Sequence, residues 1–200
     1  MDDIETLLTK LLMSDVIKCR GLTVGLARYI EIQEMLQKTT NIADATHFQK
    51  LFRKFYGMRF ANAEWQQTFF QFMQERRYTP PSFNEIMALM AERFGRCEPS
   101  FSSKLAATLK PDLPVLDSRV LSVMATHLPE RGNWKLLRSG PLDKKMKRAS
   151  GVYYSLCAVI AIVKMSPNFA RLSEKFDAHH GAHGLTETKK LDLILWQYRQ

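Results

Sequence analysis

Lys104 and Asp117 are the two residues of this 200-residue chain whose types and setting best suit covalent chemistry. Lys104 follows a serine at the start of one apolar helical pattern, and Asp117 stands where the next pattern begins. A lysine amine is a nucleophile when deprotonated, and either desolvation or a helix N-terminus lowers its pKa. A nearby carboxylate stabilises developing positive charge or accepts a proton. The pair therefore predicts nucleophilic catalysis.

Two helices joined by a stiff turn must position this pair. The segment 110–114 contains two prolines, each of which fixes its own φ and disfavours helix in the residue before it. We predict that Ser102 caps the helix that carries Lys104, with the lysine in its first turn. We also predict that Asp117 caps a helix from Ser118 to about His127. Both reactive groups would then lie near helix N-termini.

The remaining chain has helical periodicity nearly throughout, and convincing strand alternation is absent. We predict an all-α fold in a single domain spanning residues 1–200, and we consider a division into two lobes, 1–97 and 98–200, with a cleft between them. The apolar stretch 152–163 is predicted to be a buried central helix. Further helices are predicted at 3–13, 22–38, 44–56, 62–77, 83–95, 142–165, 167–178 and 186–200.

The charge and cysteine content narrow the classes of partner and compartment. The net charge of +9 favours a polyanion such as DNA. The three cysteines form no CxxC pair, so neither a zinc site nor a disulfide framework is indicated, and a reducing compartment is expected. The acidic N-terminus is unlike a signal peptide, and the stretch 152–163 is too short for a membrane span. We therefore expect a cytoplasmic protein with no membrane partner, metal or cofactor.

The segment 101–123 resembles helix-hairpin-helix DNA glycosylases, particularly the 8-oxoguanine glycosylase branch. Ser103-Lys104 is similar to the lysine end of that motif, and Pro114-Val115-Leu116-Asp117 is similar to its aspartate end. The segment also resembles small bacterial proteins with a Ser-Lys and Pro-x-x-Asp-Ser pattern. The resemblance implies a divergent member of the family in which the hairpin binds DNA.

This resemblance implies a role for each matching residue. Lys104 would attack the anomeric carbon of a nucleotide as its damaged or modified base leaves, giving a Schiff base and lyase activity, and Asp117 would assist. The nucleotide must first leave the duplex. Asp192 and Trp196 lie four residues apart on one face of the last helix, and by the same resemblance they would hydrogen-bond and stack on the flipped base.

Basic residues in the second half of the chain are predicted to contact phosphates. Four of them lie in the first turns of the helix at 142–165, where positive charge opposes the helix dipole and is therefore not explained by helix stability. The predicted DNA contacts are Ser102, Ser103, Lys135, Arg138, Lys144, Lys145, Lys147 and Arg148.

Two alternative functions remain open. The first is a DNA-binding protein that keeps the glycosylase fold without its chemistry, which the lack of glycines between Gly95 and Lys104 and the short interval between Lys104 and Asp117 favour. The second is a helical protein-interaction module that uses the aromatic-rich helix 62–77 as its partner surface. Covalent trapping on DNA separates enzyme from binding protein, and a DNA titration separates both from the interaction module.

Overall fold

A computed structural model describes residues 3–59 and 62–198, and these residues confirm the all-α prediction, with no β-strand among them. Two short 3₁₀ turns, at Val16–Lys18 and Pro129–Arg131, interrupt the helices. The helices are α1 (Asp3–Met13), α2 (Arg20–Lys38), α3 (Thr46–Tyr56), α4 (Ala63–Glu75), α5 (Phe83–Phe94), α6 (Pro99–Leu109), α7 (Ser118–His127), α8 (Leu142–Lys164), α9 (Pro167–His180) and α10 (Glu187–Gln197).

Capping residues explain where several helices begin. Ser82 and Glu85 form the capping box that starts α5. Asp117 accepts a hydrogen bond from the Arg119 amide and starts α7 at the predicted residue. The last helix was predicted to run to Gln200, but α10 ends at Gln197, and residues 199 and 200 lie outside the described range.

The start of α6 differs from the prediction. The helix begins at Pro99, one turn before Ser102, and its N-cap position is Glu98. Proline suits the first position of a helix because its fixed φ is helical and its missing N–H has no partner there. Lys104 consequently lies in the middle of α6 and not in its first turn.

The most deeply buried helices are α6 and α10, not the stretch 152–163. In α6 the residues 102–108 are all buried, and in α10 the residues 188–195 are all buried. A helix that is buried on every side belongs in the centre of a core. These two helices nevertheless carry Lys104, Lys189 and Asp192 there, where an unpaired charge is costly.

By contrast, α8 leaves Tyr154 and Ile162 exposed. The helix α8 has 23 residues, and an 18-residue window of it is apolar enough to cross a membrane by length and composition, a test that the core helix of a globular protein also passes. It packs against α5, α9 and α10.

Helix packing joins the two halves of the sequence. The N-terminal α1 packs on α9, and α2 packs on α10, so both contacts cross the division considered at residue 97. Buried residues from all ten helices belong to one hydrophobic cluster. Packing of α10 on α2 and α7 brings Asp192 to the turn that precedes Asp117.

The aromatic face of α4 belongs to this core. Trp65, Phe69, Phe70 and Met73 are all buried, and the ring of Trp65 stacks on that of Phe69. An aromatic surface that is already covered by its own chain cannot serve as a partner surface. These four side chains therefore belong to the core, whereas Phe72 of the same helix is half-buried, and the interaction module stays a prediction.

Candidate functional site

Lys104 and Asp117 meet inside the protein. The Lys104 ammonium donates a hydrogen bond to the carbonyl oxygen of Tyr56 at 3.0 Å, and its Nζ lies 3.7 Å from Oδ2 of Asp117. The exposed fractions of the two side chains are 8% for the lysine and 16% for the aspartate. The amine is thus largely shielded from water, with a carboxylate next to it.

Burial sets the protonation of Lys104. Desolvation lowers the pKa of its amine below the ordinary lysine value, and the charge of Asp117 opposes that shift only in part. The predicted cause, a helix N-terminus, does not apply because α6 begins more than one turn earlier. A lowered pKa increases the fraction of Lys104 that is in the neutral, nucleophilic form.

The two carboxylate oxygens of Asp117 make different contacts. Oδ1 accepts a hydrogen bond from the Arg119 amide at 2.9 Å and caps α7, whereas Oδ2 faces Lys104. The cap fixes the orientation of the carboxylate group. Capping and interaction with the lysine are therefore compatible in one side chain.

The turn before Asp117 is held at two successive backbone amides. The Val115 amide donates to the Asp192 carboxylate at 3.2 Å, and the Leu116 amide donates to the Ser103 hydroxyl at 2.9 Å. One anchor comes from α10 and the other from α6. Together they fix the position of Asp117 relative to the helix that carries Lys104.

Ser102 and Ser103 lie inside the protein, which corrects the prediction that they contact DNA. Both have no exposed surface. The Ser102 hydroxyl donates to the carbonyl of Glu98 at 2.9 Å, one turn back in the chain, and does not cap the helix. Their serine hydroxyls are used for internal hydrogen bonds.

Asp192 is buried beside a second lysine. Its Oδ2 lies 3.2 Å from Nζ of Lys189, and the Lys189 ammonium also lies 4.9 Å from the centre of the Tyr29 ring. Burial raises the pKa of Asp192 to about 6, although Lys189 acts to lower it. Desolvation acts to lower the pKa of Lys189, but the charges of Tyr56, when ionised, and of Asp192 raise it overall.

Trp196 is half-buried near the end of α10. The Arg119 guanidinium lies 4.6 Å from the centre of its indole ring, in cation–π geometry. The same guanidinium donates to the Trp196 carbonyl oxygen at 3.4 Å. Arg119 therefore ties the start of α7 to the end of α10.

One narrow, partly open pocket brings together the four residues predicted for catalysis and for base recognition. Lys104, Asp117, Asp192 and Trp196 all line it, and Lys189 is also part of its wall. The cavity volume is about 40 Å³, which is room for about three water molecules. In this form the pocket is too small for a nucleobase.

A larger groove adjoins this pocket. Its volume is about 970 Å³, and Lys135, Arg138 and Lys145 lie along it. Lys104 and Asp117 line both the groove and the pocket, so the amine stands at their junction. A basic groove with a buried amine in its wall matches the electrostatic needs of a nucleic acid backbone.

The other predicted DNA contacts lie elsewhere. Lys144 and Lys147 are exposed on α8 but do not line the groove. The Arg148 guanidinium donates to the carbonyl oxygens of Lys135 and Asn133 at 2.8 and 2.9 Å. Arg148 therefore supports the loop that carries Lys135.

Sequence reasoning missed Lys189 and Tyr56. Lys189 lies three residues before Asp192, a spacing that places both residues on one helix face. This spacing could have indicated the contact between the two side chains. Tyr56 contributes a backbone carbonyl to Lys104, and no sequence pattern indicates such a contact.

No protein-family model, curated protein or solved structure matches this chain. The roles of these residues therefore rest on the geometry and chemistry of the site.

Proposed function

We propose that this protein is a helical DNA glycosylase-like enzyme in which Lys104 is the nucleophile and Asp117 the assisting carboxylate. One observation carries the proposal. A buried amine with a lowered pKa lies 3.7 Å from a carboxylate, at the junction of a narrow pocket and a basic groove. Sugar chemistry on a polyanion requires these parts together.

The chemical step uses the neutral Lys104 amine. On a base-bearing nucleotide, its lone pair forms a bond to the anomeric carbon while the glycosidic bond breaks and its electron pair leaves with the base. The proton released from the nitrogen passes to Asp117, which also stabilises positive charge on the sugar. The C1′–O4′ bond then breaks, O4′ takes the proton held by Asp117, and the nitrogen lone pair forms the C=N bond of the Schiff base on Lys104.

The small cavity favours the lyase half of this activity. An abasic deoxyribose has no base to accommodate, and its aldehyde condenses with the Lys104 amine to form a Schiff base and release water. Removal of a C2′ proton then expels the 3′ phosphate. An abasic sugar therefore requires less expansion of the pocket, whose volume is about 40 Å³, than a base-bearing nucleotide does.

Strand cleavage tests the proposal. We expect the purified protein to cleave a duplex that contains an abasic site, and Lys104→Ala to lose at least about 100-fold in rate, because removal of a nucleophile costs more than a single general-acid step. A variant with unchanged cleavage would exclude Lys104 as the nucleophile. A DNA-binding titration on both proteins controls for loss of substrate affinity.

The alternative is a DNA-binding protein without catalysis. The hydrogen bond from Lys104 to the Tyr56 carbonyl and the small cavity favour it, because both suit a structural lysine. In that case the wild-type protein binds duplex DNA through the groove, and its incubation with abasic DNA gives no cleavage.

A further inference from the structure

The outer face of α3 carries a cluster of positive charge that the proposed chemistry does not use. Lys50, Arg53 and Lys54, together with Met58, line a shallow concavity of about 270 Å³. On the inner face of the same helix, Phe55 and Tyr56 line the catalytic pocket. A single helix thus separates the pocket from a basic outer surface.

Local stability does not explain this cluster. Lys50 and Lys54 are exposed and four residues apart, a spacing at which like charges repel and destabilise a helix. Cations near the end of a helix are favoured by its dipole, which accounts for Lys54 in the last turn but not for Lys50.

Neither lysine has a counter-charge in the part of the chain that the structure describes. Among residues 3–59 and 62–198, no carboxylate lies within ion-pair distance of Lys50 or Lys54. The third cation, Arg53, is oriented by a hydrogen bond of 2.8 Å from its guanidinium to the side-chain oxygen of Gln66. The two exposed lysines and the half-buried guanidinium of Arg53 therefore lie along the same concavity of α3.

The cluster is continuous with the basic groove. Gly57 ends α3 with a positive φ of 61° and lines the groove, whereas its neighbour Met58 lines the concavity on α3. The following residue, Arg59, is exposed and adds a further cation at this turn. One tight turn thus joins the two basic surfaces.

We infer that the α3 surface formed by Lys50, Arg53 and Lys54 is a second phosphate-binding site, which binds the backbone of the same nucleic acid that occupies the groove. The inference rests on the proposed function, since it extends that footprint across the Gly57 turn. Lysine and arginine clusters bind nucleic acid phosphates without reading sequence, and each contact releases counterions. The site therefore supplies affinity and orientation, not base specificity.

The test compares two double charge reversals in the full chain. We expect Lys50→Glu with Lys54→Glu to weaken binding to a fluorescent DNA duplex by roughly 10-fold at low salt, and to lower the slope of log K against log salt by about 2. The matched control is Lys18→Glu with Arg171→Glu, two exposed residues on the 3₁₀ turn and α9. This control has the same net charge as the α3 variant, and we expect it to bind the duplex more tightly than the α3 variant does.

Each outcome separates this inference from the proposed function. If the α3 variant and the control bind DNA equally, while charge reversal in the groove weakens binding, the α3 site is overturned and the groove stands. If the wild-type protein does not bind DNA, both proposals fail. If the α3 variant loses binding only to vesicles of phosphatidylserine, the surface serves a membrane and the inference is wrong.

Discussion

At the scale of single residues, burial and the Asp117 carboxylate act in opposite directions on the Lys104 amine. Burial lowers its pKa and the carboxylate raises it. Removing the charge of Asp117 while keeping its cap should therefore lower the pKa further. Asparagine does this, because it remains a good N-cap residue.

We predict that Asp117→Asn shifts the pH–rate profile of abasic-site cleavage to lower pH. The rate rises with pH because the amine loses its proton. A lower pKa therefore moves this rising part of the profile to lower pH. The maximal rate should fall by about 10²-fold with loss of the proton acceptor. A limb that stays in place or moves to higher pH would show that Asp117 does not act on the charge of Lys104.

Asp192 provides a prediction about stability. Its pKa of about 6 in the folded protein lies above its ordinary value, so the folded state binds more protons than the unfolded state between these two pH values. Its contribution to stability is therefore complete at low pH and is lost as pH rises through 6. Lys189 lowers this pKa and Asp117 raises it, and the charge of Asp192 in turn raises the pKa values of the buried hydroxyls of Tyr29 and Tyr56.

We therefore expect Asp192→Asn to gain stability relative to wild type as pH rises from 4 to 7, by roughly 1–3 kcal/mol. Urea unfolding of both proteins across this pH range measures the difference. A variant that instead loses relative stability as pH rises would mean that attraction to Lys189 outweighs the cost of burying the carboxylate.

At the scale of elements, α6, its following turn and α7 form the unit that places Lys104 against Asp117. We predict that Ser103→Ala lowers both stability and cleavage rate, because the buried Leu116 amide loses its acceptor at a cost of about 1–3 kcal/mol. The neighbouring change Ser102→Ala is the matched control, since that hydroxyl only donates to a carbonyl of its own helix turn.

Thermal unfolding and single-turnover cleavage of the two serine variants make the comparison. We expect Ser102→Ala to have nearly the unfolding temperature and the cleavage rate of wild type. Both quantities should be lower in Ser103→Ala. Equal effects of the two substitutions would show that the turn does not depend on the Ser103 hydroxyl.

The same unit shows what local sequence signals predict. Asp117 and Ser82 marked the starts of α7 and α5 because capping is local chemistry between residues two or three apart. The start of α6 was misplaced because Ser102 has the chemistry of a cap, while Pro99 already satisfies the first position. Two local signals for the start of α6 therefore conflict, and the structure follows the one at Pro99, which gives the longer helix.

At the scale of the whole molecule, the groove and the outer part of α8 present lysines in different settings. We predict that Arg138→Glu with Lys145→Glu, which line the groove, weakens DNA binding more than Lys144→Glu with Lys147→Glu, which do not. Both pairs change net charge equally, so a general electrostatic effect cancels. Titration with a fluorescent duplex measures it, and equal losses would reject the groove as the binding surface.

The resemblance placed Lys104, Asp117, Asp192 and Trp196 around one nucleotide, but the depth and size of their pocket could not be predicted from the sequence, for a physical reason. The chemistry of Lys104, Asp117, Asp192 and Trp196 was visible as residue types, but their meeting depends on how α10 packs on α2 and α7. Packing is set by the whole core and not by spacing within one helix. The depth of Lys104 and the role of Asp192 in holding the turn follow from that packing alone.

Borohydride trapping on a duplex with an abasic site tests the central claim most directly. Reduction of a Schiff base links the protein to DNA, and mass spectrometry of the digested adduct locates the attachment. We predict a stable adduct at Lys104 in the wild-type protein and none in Lys104→Ala. No adduct, or an adduct at another amine that persists in Lys104→Ala, would contradict the assignment of Lys104 as the nucleophile.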